Sequence, residues 1–582
     1  MDLTKYILVL TPFSAERLRR KQREGAVAEK VTEQSIKDFG SRDDLQVKTA
    51  IVSVFDKTGL IEFARLLHAS GVTNLIATGG TLSALQREGI EATALERVGH
   101  FSEMLEGRVK TLQPEIFAGI LARKTSEDHM RQVRDKKIGT IDMVVCNFYA
   151  FESTASRKGA TDEEIIEMID IGGPSLVRAA AKNYESVCVV PSPSLYKEIG
   201  DELSRNGGRI SYETRKKTAL KAFEVVASYD ISIYNTLNSR FSSGLFADSF
   251  YLSARSFEVP KYGENPDQKA MIYAIKGSEG GVPAWKQLFG DVRSYNNYLD
   301  IASSFEILKG FESMPAAATV KHGQISGFAT SNSGLADAYR LAHACDPEAD
   351  FGNTTVLNRV VDSETAKLIG KNEGGGSEDV SVYTEIVLAP GYEREALELL
   401  KAKQKKKIRI IETGAPSSYP FDVKLMEGLA LVQQSPNYEL KLDPSKVTVE
   451  TTAKPTANDM AILLGLWEVV RRVTSNGIVV GNGEYDESSG TLRKLWTLGV
   501  GSFRKRNGAT LIALQNAGER ARGAYCASDG FFPFPDSVEM LGNAGIRGII
   551  QPGGSQSDRK VIEMANRFSI PMLLTHERAF KH

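Results

Sequence analysis

The segment Thr78-Gly79-Gly80-Thr81 has the composition of an anion-binding turn. Its two glycines let the backbone direct N–H groups toward an anion, and its two threonine hydroxyls add hydrogen-bond donors. Lys57 follows an earlier apolar run and could neutralise the same anion. Taken alone, the segment is explained more simply as a strand-to-helix turn that needs glycine. Because it lacks both the GxxxxGK(S/T) and the GxGxxG pattern, it predicts neither a P-loop nor a dinucleotide site.

Two further groups of basic residues belong to the same half of the chain. Arg108 and Lys110 would share one face if their segment is extended, and like charges side by side repel unless water or an anion separates them. Arg178 and Lys182 follow Asp170 in a predicted helix and lie one helical turn apart. Exposure to water is enough to explain any one of these basic pairs. Three basic groups at predicted strand ends, taken together, favour a bound anion.

Alternating strands and helices would bring these groups together. Residues 49–54 predict a strand, and apolar side chains in 60–67 then repeat with helical spacing until Gly71 ends the helix. A second strand, 74–77, runs into the glycine turn, and the alternation continues to residues 141–146. This order predicts a parallel α/β sheet with helices on both faces, in which ligands bind where strands end.

Size and composition exclude several classes of protein. A chain of 582 residues is too long for one core and should fold as about three compact units. Hydrophobic residues make up 42% and charged residues 25%, as in an ordinary globular protein. The formal net charge of -1 gives no global field for nucleic acid or an anionic membrane. A phosphate-binding enzyme needs only local positive charge.

The cysteines predict neither a zinc ribbon nor a disulfide framework, because they are scattered and form no CxxC pair. They are Cys146, Cys188, Cys345 and Cys526. No apolar run approaches the ~18 residues of a membrane-spanning helix. Residues 1–10 place an acid before a short apolar run and are a poor signal peptide. A reducing, cytoplasmic setting is therefore expected.

The chain shows one change of pattern that predicts a domain boundary. Residues 1–46 are a charged extension, and periodic apolar spacing fades near residues 240–260. Beyond this boundary strands and helices continue, interrupted by two predicted surface loops at Gly374–Ser377 and Lys405–Lys407. The sequence itself contains no recognisable internal repeat.

Motifs from residue 47 to the end resemble the AICAR transformylase/IMP cyclohydrolase family in order and spacing. The cyclohydrolase half is matched by Ser53–Gly59, Thr78–Thr81, Gly107–Leu112, Asn147–Tyr149 and Asp170–Asn183. The transformylase half is matched by Tyr262–Pro266, Ser294–Asn297, Val320–His322, Ala527–Asp536, Gln551–Ser555 and Arg578–His582.

The resemblance implies an α/β fold of two parts. Residues 47–245 would form a methylglyoxal-synthase-like parallel-sheet domain with IMP cyclohydrolase activity. Residues 246–582 would form the AICAR transformylase domain, a duplicated cytidine-deaminase-like α/β domain with two subdomains. It also implies a homodimer with transformylase sites at the subunit interface.

The first implied reaction transfers a formyl group from 10-formyltetrahydrofolate, a co-substrate, to the aromatic amine of AICAR. That amine is a weak nucleophile and needs a base, for which His322 is the candidate because imidazole titrates near neutrality. Lys321 would stabilise the tetrahedral oxyanion. Standing alone, a Lys-His pair is structural or solvated in most proteins. The remaining binding residues implied by the resemblance are Lys261, Tyr262, Asn353, Asn476, Phe531, Pro533, Asp536, Arg578 and His582.

The second implied reaction closes the ring of FAICAR to give IMP. Both reacting groups belong to one molecule, so holding the right rotamer supplies much of the catalysis. By resemblance, Asp170 would accept the proton of the carboxamide nitrogen, and Lys110, Lys182 and Tyr149 would stabilise the oxygen that leaves as water. The 5′-phosphate would be held by Ser53, Lys57, Thr78, Gly79, Arg108 and Thr111. Neither reaction requires a metal.

The transformylase half departs from the family pattern more than the cyclohydrolase half does. Lys261 replaces an arginine and so loses its bidentate fork, and Asp267 replaces a histidine. The usual turn after His322 and the usual GxGxGQxSR run are also changed, which leaves the arginine of that run unplaced within residues 498–506. Two alternatives therefore stay open: a monofunctional cyclohydrolase with a folate-inactive second half, and a non-catalytic nucleotide-binding regulator. Intact Lys110, Asp170 and Lys182 count against the regulator.

Overall fold

A computed structural model describes residues 43–102, 104–278, 280–369, 383–403, 408–417 and 419–582. Most of the charged extension and both predicted surface loops lie outside these ranges. The chain divides into two compact units, the first ending at Ser253 and the second spanning Ala254–His582. Within the described ranges, no helix has the length and apolar character needed to cross a membrane.

The first unit is built on a five-stranded sheet in which every neighbouring pair is parallel, in the order β4-β3-β2-β5-β6. A separate antiparallel pair joins β1 to β7. The strands are β1 Leu45–Gln46, β2 Thr49–Ser53, β3 Asn74–Ala77, β4 Thr93–Ala94, β5 Met143–Cys146, β6 Cys188–Val190 and β7 Arg209–Ile210. The predicted parallel sheet is confirmed.

Ten α-helices accompany this sheet in the described part of the first unit. They are α1 Leu60–Ala69, α2 Gly79–Arg87, α3 Leu95–Gly99, α4 Pro114–Leu121, α5 Glu127–Asp135, α6 Phe151–Ala155, α7 Asp162–Glu167, α8 Gly172–Lys182, α9 Tyr196–Arg205 and α10 Tyr212–Phe241. Successive residues of β2 serve opposite cores, since Ala50 and Val52 join one apolar cluster and Ile51 joins the other. Burial of both sheet faces explains why its strands are continuously apolar.

Helix α1 forms as its sequence predicts. Its apolar repeat is buried, and Gly71 adopts φ 90° just after the helix, a left-handed conformation in which glycine carries no Cβ penalty. The buried residues are Leu60, Phe63, Ala64 and Leu67.

The second unit is organised around a twelve-stranded mixed sheet in the order β10-β15-β14-β13-β11-β12-β20-β19-β21-β22-β23-β18. Its strands include β10 Lys286–Phe289, β11 Ala316–Lys321, β12 Gln324–Ser331, β13 Asn353–Leu357, β14 Thr384–Ala389, β15 Arg409–Glu412, β18 Thr448–Val449, β19 Gly477–Asp486, β20 Thr491–Ser502, β21 Tyr525–Ser528, β22 Gly548–Gln551 and β23 Met572–Leu574. Two antiparallel pairs stand outside it: β8 Ala254–Glu258 with β9 Ile272–Ile275, and β16 Phe421–Met426 with β17 Leu429–Gln434.

One topological pattern occurs twice in this sheet. The hairpin β11-β12 is flanked by the parallel strands β13, β14 and β15, and the hairpin β19-β20 is flanked by the parallel strands β21, β22 and β23. The two halves meet where β12 pairs with β20. This arrangement is what a duplication would produce, while the likeness of each half to cytidine deaminase stays a prediction.

The second unit's described helices pack on both halves of the sheet. They are α11 Tyr295–Ile307, α12 Leu335–His343, α13 Ser363–Leu368, α14 Arg394–Lys403, α15 Ala457–Val470, α16 Arg506–Ala517, α17 Asp536–Asn543 and α18 Asp558–Arg567. Helices α11 and α15 contribute to the largest apolar cluster, through residues such as Ile301 and Leu466. The loops that carry the motifs of this unit therefore extend from a sheet with a large buried apolar core.

Candidate active sites

The first candidate site lies at the carboxyl ends of β2 and β3, where two loops are tied together. Ser53 Oγ and Thr78 Oγ1 are 2.9 Å apart and share a hydrogen bond. Thr81 Oγ1 bonds both the N–H and the carbonyl of Val54, each at 3.1 Å. The glycine turn and the end of β2 therefore form one continuous rim at the sheet edge.

Asn147 holds the loop that carries Lys57. Its Oδ1 accepts hydrogen bonds from Phe55 N (2.8 Å) and Asp56 N (2.9 Å), and its Nδ2 donates to Asp56 O (2.9 Å). Lys57 Nζ donates to Phe55 O at 3.3 Å and is exposed. The lysine ammonium is therefore available at the rim, on a loop fixed by a residue to which sequence reasoning gave no role.

Lys110 lies over the start of helix α2. A Cβ built on Gly79 would overlap Lys110 Nζ, so the ammonium lies directly against the backbone of Gly79. The N-terminus of a helix already carries partial positive charge, and a second cation there concentrates the field that attracts an anion. Gln113 helps to fix the lysine, because its Nε2 donates to Lys110 O at 2.9 Å.

The expectation that Arg108 and Lys110 share a face of an extended segment is wrong. Residues Leu105–Gly107 form a 3-10 turn, and Arg108 continues it with φ -60° and ψ -25°. The glycine at 107 and the helical dihedrals after it favour a turn over a strand. Arg108 instead pairs with Glu167, and both side chains are more than half exposed. In this conformation its guanidinium is engaged by Glu167.

Asp170 and Thr111 meet at the start of helix α8. A Cβ built on Gly172 would collide with Thr111 Oγ1, and one built on Gly173 would lie 2.6 Å from Asp170 Oδ2. Asp170 Oδ1 accepts a 2.8 Å hydrogen bond from Gly173 N, and Asp170 N donates to the Tyr229 hydroxyl at 2.8 Å. Backbone and side chain of the aspartate are therefore both held.

Burial raises the pKa of Asp170, although backbone N–H groups of Gly173, Tyr149 and Gly172 pull it down. A carboxyl with a raised pKa is a better proton acceptor than an ordinary surface aspartate. The Tyr149 side chain is 43% exposed beside it, and its ring centroid lies 5.6 Å from that of Phe55. Asp170 is thus a desolvated carboxyl beside the partly exposed Tyr149.

Lys182 lies apart from Asp170, the residue with which it was predicted to share a site. It ends helix α8, whereas Asp170 precedes the helix, so about 15 Å of helix axis separates them. Its side chain is exposed and makes no hydrogen bond or ion pair with other described residues. Within one chain, the structure does not bring Lys182 to Asp170.

The second candidate site is a turn between β11 and β12. Lys321 ends β11, Gln324 begins β12, and the two residues between them, His322 and Gly323, have φ 51° and φ 72°. Positive φ at both central positions is the signature of a type I′ hairpin turn. Lys321 Nζ donates to Phe351 O at 2.8 Å. The imidazole is therefore carried at the tip of a tight hairpin.

Asp300 of helix α11 supports this turn and was missed by sequence reasoning. Its Oδ1 accepts a 3.0 Å hydrogen bond from Gly323 N. Burial raises the pKa of Asp300, the Gly323 N–H and the positive charge of His322 lower it, and Glu385 raises it. One feature of the sequence points to Asp300. It lies three residues after Asn297, the last residue of the Ser294–Asn297 motif, and this spacing puts both on one helix face.

A buried arginine organises the predicted nucleotide-binding Asn476. Arg506 pairs with Asp529, and its Nη2 donates to Asn476 Oδ1 at 2.8 Å. Arg504 lies instead over the ring of Phe503, at 5.6 Å from the centroid. Of the two arginines within residues 498–506, Arg506 is therefore the one that contacts Asn476 and Asp529.

The C-terminal residues pack against the same network. Ser475 N donates to Lys581 O at 2.9 Å, and Ala579 N donates to Asp529 O at 2.8 Å. Arg578 lies over the Phe580 ring at 5.2 Å, and the His582 carbonyl accepts from Lys424. The predicted closing motif therefore meets the Asn476 and Asp529 motifs.

The aromatic motif after Asp529 offers both buried and open side chains. Phe532 is fully buried, whereas Phe531 is 42% exposed, and Pro533 is half-buried. Asp536 starts helix α17 and accepts from Asn507 Nδ2 at 3.1 Å. Phe531 thus presents an open ring face at this edge.

Three other predicted binding residues are less clearly part of a site. Asn353 begins β13 with its side chain buried (1% exposed), so its amide is closed to a ligand in this conformation. Lys261 is exposed and Tyr262 half-buried between β8 and β9, and neither bonds another described residue. Across the described ranges, no three His, Cys, Asp or Glu side chains are grouped to hold a metal ion.

Comparison with known proteins identifies the family. The family model described as "AICARFT/IMPCHase bienzyme" matches residues 180–513, and that described as "MGS-like domain" matches residues 59–175. The chain therefore belongs to the AICARFT/IMPCHase bienzyme family, and its first unit is an MGS-like α/β domain.

Curated relatives match over nearly the whole chain. The protein called "Bifunctional purine biosynthesis protein PurH" is 40% identical in Listeria monocytogenes over 539 residues, which is 92% of this chain and 100% of the relative. The protein of that name in Acetivibrio thermocellus is 40% identical over 542 residues, and the one in Desulfitobacterium hafniense is 38% identical over 544 residues, with the same shares of both chains. The solved structure titled "Crystal structure of ForH" is 31% identical and covers 33% of this chain and 99% of its own, with a TM-score of 0.30.

Proposed function

We propose that this chain catalyses the last two steps of IMP synthesis. It transfers a formyl group from 10-formyltetrahydrofolate to AICAR, giving FAICAR and tetrahydrofolate, and then closes FAICAR to IMP with loss of water. The observation that carries the proposal is full-length similarity to bienzyme relatives, combined with a desolvated Asp170 at one site and a presented His322 at the other.

Ring closure is assigned to the edge of the first unit's sheet. The carboxamide nitrogen of FAICAR attacks the formyl carbon, and Asp170 takes the proton that this nitrogen loses. Lys110 and the Tyr149 hydroxyl stabilise the oxygen that leaves as water. Because the attack is intramolecular, the site contributes mainly by holding the reactive rotamer. Lys182 is also assigned to this step, with its exposed ammonium as the group that acts.

The 5′-phosphate is assigned to the tied loops at the same edge. Ser53 and Thr78 offer hydroxyls, Lys57 offers an exposed ammonium, and the start of helix α2 at Gly79 offers N–H groups. Helix N-termini bind phosphate through such N–H groups and through the helix dipole. Thr111 and Arg108 complete the proposed cradle, with Arg108 leaving Glu167 when phosphate binds.

Formyl transfer is assigned to the hairpin of the second unit. The AICAR amine attacks the formyl carbon and its proton passes to His322. The bond to the folate nitrogen then breaks, and that nitrogen takes the proton from the imidazolium to leave as tetrahydrofolate. Lys321 stabilises the oxyanion of the tetrahedral intermediate. The open ring of Phe531 suits stacking against a planar heterocycle.

Several finer features belong to this proposal. The boundaries are 1–46 for the extension, 47–245 for the cyclohydrolase domain and 246–582 for the transformylase domain. The active form is a cytoplasmic homodimer that needs no metal and binds nucleotide and folate substrates rather than nucleic acid or membranes. The monofunctional and regulatory alternatives are disfavoured, because relatives that match the whole chain carry a bifunctional name.

The direct test supplies purified protein with AICAR and 10-formyltetrahydrofolate and measures IMP by chromatography. Formation of IMP supports the proposal. Protein that closes supplied FAICAR but leaves 10-formyltetrahydrofolate unconsumed would establish the monofunctional alternative. Protein that binds the nucleotides and changes neither would establish the regulator.

A further inference from the structure

Asp300 stands in a fixed position beside the turn that carries His322. Helix α11 begins with a capping box, in which Ser294 Oγ accepts from Asn297 N (3.1 Å) and Asn297 Oδ1 accepts from Ser294 N (2.9 Å). Ile301 and Ser304 of the same helix are fully buried. The helix that bears Asp300 is therefore held at its start and along its face.

The hydrogen bond from Gly323 N to Asp300 Oδ1 ties the turn to this helix. His322 has φ 51°, a left-handed conformation that a non-glycine residue rarely adopts unless its surroundings hold it there. Asp300 Oδ1 accepts from the next residue's N–H at 3.0 Å and so ties the strained tip to the helix. The turn is thereby presented in one conformation.

The charged groups that act on the Asp300 carboxyl are His322, which favours its ionised form, and Glu385, which opposes it. Glu385, on the neighbouring strand β14, is already engaged by Asn297 Nδ2 (2.8 Å) and by Arg409 Nη1 (3.3 Å). Lys321 Nζ is directed to Phe351 O. Within the described part of the chain, no lysine or arginine forms an ion pair with Asp300, and His322 is the group whose positive charge stabilises its ionised form.

We infer that Asp300 is the positioning residue of the formyl-transfer base, holding the His322 turn through Gly323 N and setting a carboxylate beside the imidazole. The inference rests on the proposed function of His322. When His322 takes the proton of the AICAR amine, an imidazolium forms, and a nearby negative charge stabilises that product of the proton transfer. Asp300 itself exchanges no proton and touches no substrate.

The test compares the full-length wild type with Asp300→Asn, which keeps an oxygen to accept from Gly323 N and removes only the charge. The rate constant kcat/KM for formyl transfer to AICAR is measured across pH. We expect a loss of about tenfold or more and an acid limb moved to lower pH, because removing the negative charge of Asp300 disfavours the imidazolium that forms in the reaction. Asp300→Glu, which keeps the charge, is expected to retain the wild-type limb at a reduced rate.

Asp443→Asn is the matched control, since Asp443 also accepts a backbone N–H, from Ser445 at 3.0 Å, and has been assigned no role in either site. Closure of supplied FAICAR checks that each variant is folded and is expected to be unchanged. If the acid limb of the kcat/KM profile lies at the same pH in Asp300→Asn as in the wild type, the inference is overturned, whatever the rate of the variant. A wild type that transfers no formyl group would instead overturn the proposed function, so the two failures are distinguishable.

Discussion

Asp170 Oδ1 and Gly173 N are joined by a 2.8 Å hydrogen bond across the first residues of helix α8. This contact fixes the carboxylate at the sheet edge while the surrounding burial raises its pKa. A residue that is held and desolvated in this way is suited to accept a proton from a weakly acidic amide nitrogen. The same edge carries Lys110 and the Ser53–Thr78 pair.

The pH dependence of ring closure should reflect the raised pKa of Asp170. The base acts when ionised, so kcat/KM for FAICAR should fall as pH drops through a value above the usual 3.8 of aspartate. Because the pKa of Asp170 is raised in the folded state, its ionised form lowers the free energy of unfolding above that pH. Asp170→Asn should therefore be at least as stable as the wild type at pH 7. A pH profile together with denaturant unfolding of both proteins checks this. An acid limb at or below pH 3.8 would count against Asp170 as the base.

Lys57→Ala should raise KM for FAICAR more than it lowers kcat. The phosphate does not react, so its contacts are similar in the ground and transition states. Steady-state kinetics measure the two constants separately, and inorganic phosphate should compete with FAICAR in the wild type. Lys48→Ala, in the turn before β2, is a control distant from the strand's carboxyl end. Absence of phosphate competition would show that the cradle is assigned wrongly.

Lys182→Ala should slow ring closure by at least about a hundredfold, equivalent to about 2.7 kcal/mol of transition-state stabilisation. The side chain is exposed and makes no hydrogen bond or ion pair with other described residues, so its removal should leave stability within about 0.5 kcal/mol. Single-turnover rates and thermal unfolding measure the two effects. A fully active variant would remove Lys182 from the site, in keeping with its distance along α8 from Asp170.

His322→Ala should abolish formyl transfer and leave closure of supplied FAICAR unchanged. Loss of a general base costs about 10²–10⁴-fold in rate, and the ring-closing groups lie in the other unit. Tetrahydrofolate release and IMP formation are followed in separate assays of one preparation. Equal loss of both activities would indicate misfolding or a shared site instead.

The sheet edge of the first unit could be predicted because its signals are local. The apolar run of β3 is followed at once by Thr78 and Gly79, and the parallel sheet places the ends of successive strands at the same edge. The turn at Arg108 was missed because an isolated basic pair carries no signal that separates strand from turn. Its conformation depends on the surrounding loop.

The second unit was less predictable because its contacts are distant in sequence. Asp300 and Gly323 are 23 residues apart, and Arg506 and Asp529 are also 23 apart, with strands and helices between them. No periodicity marks such partners, and the run Arg504-Lys505-Arg506 offers two arginines of equal chemistry. Tertiary packing alone selects Arg506, by burying it against Asp529 and Asn476.

The most direct test of the two-reaction proposal is the product balance in one reaction mixture of the full-length protein, AICAR and 10-formyltetrahydrofolate. We expect the wild type to release one tetrahydrofolate for each IMP formed. Asp170→Asn should release tetrahydrofolate at the wild-type rate and accumulate FAICAR instead of IMP. If the wild type forms no tetrahydrofolate, or if Asp170→Asn makes IMP as fast as the wild type, the proposed division of the chemistry between Asp170 and His322 is wrong.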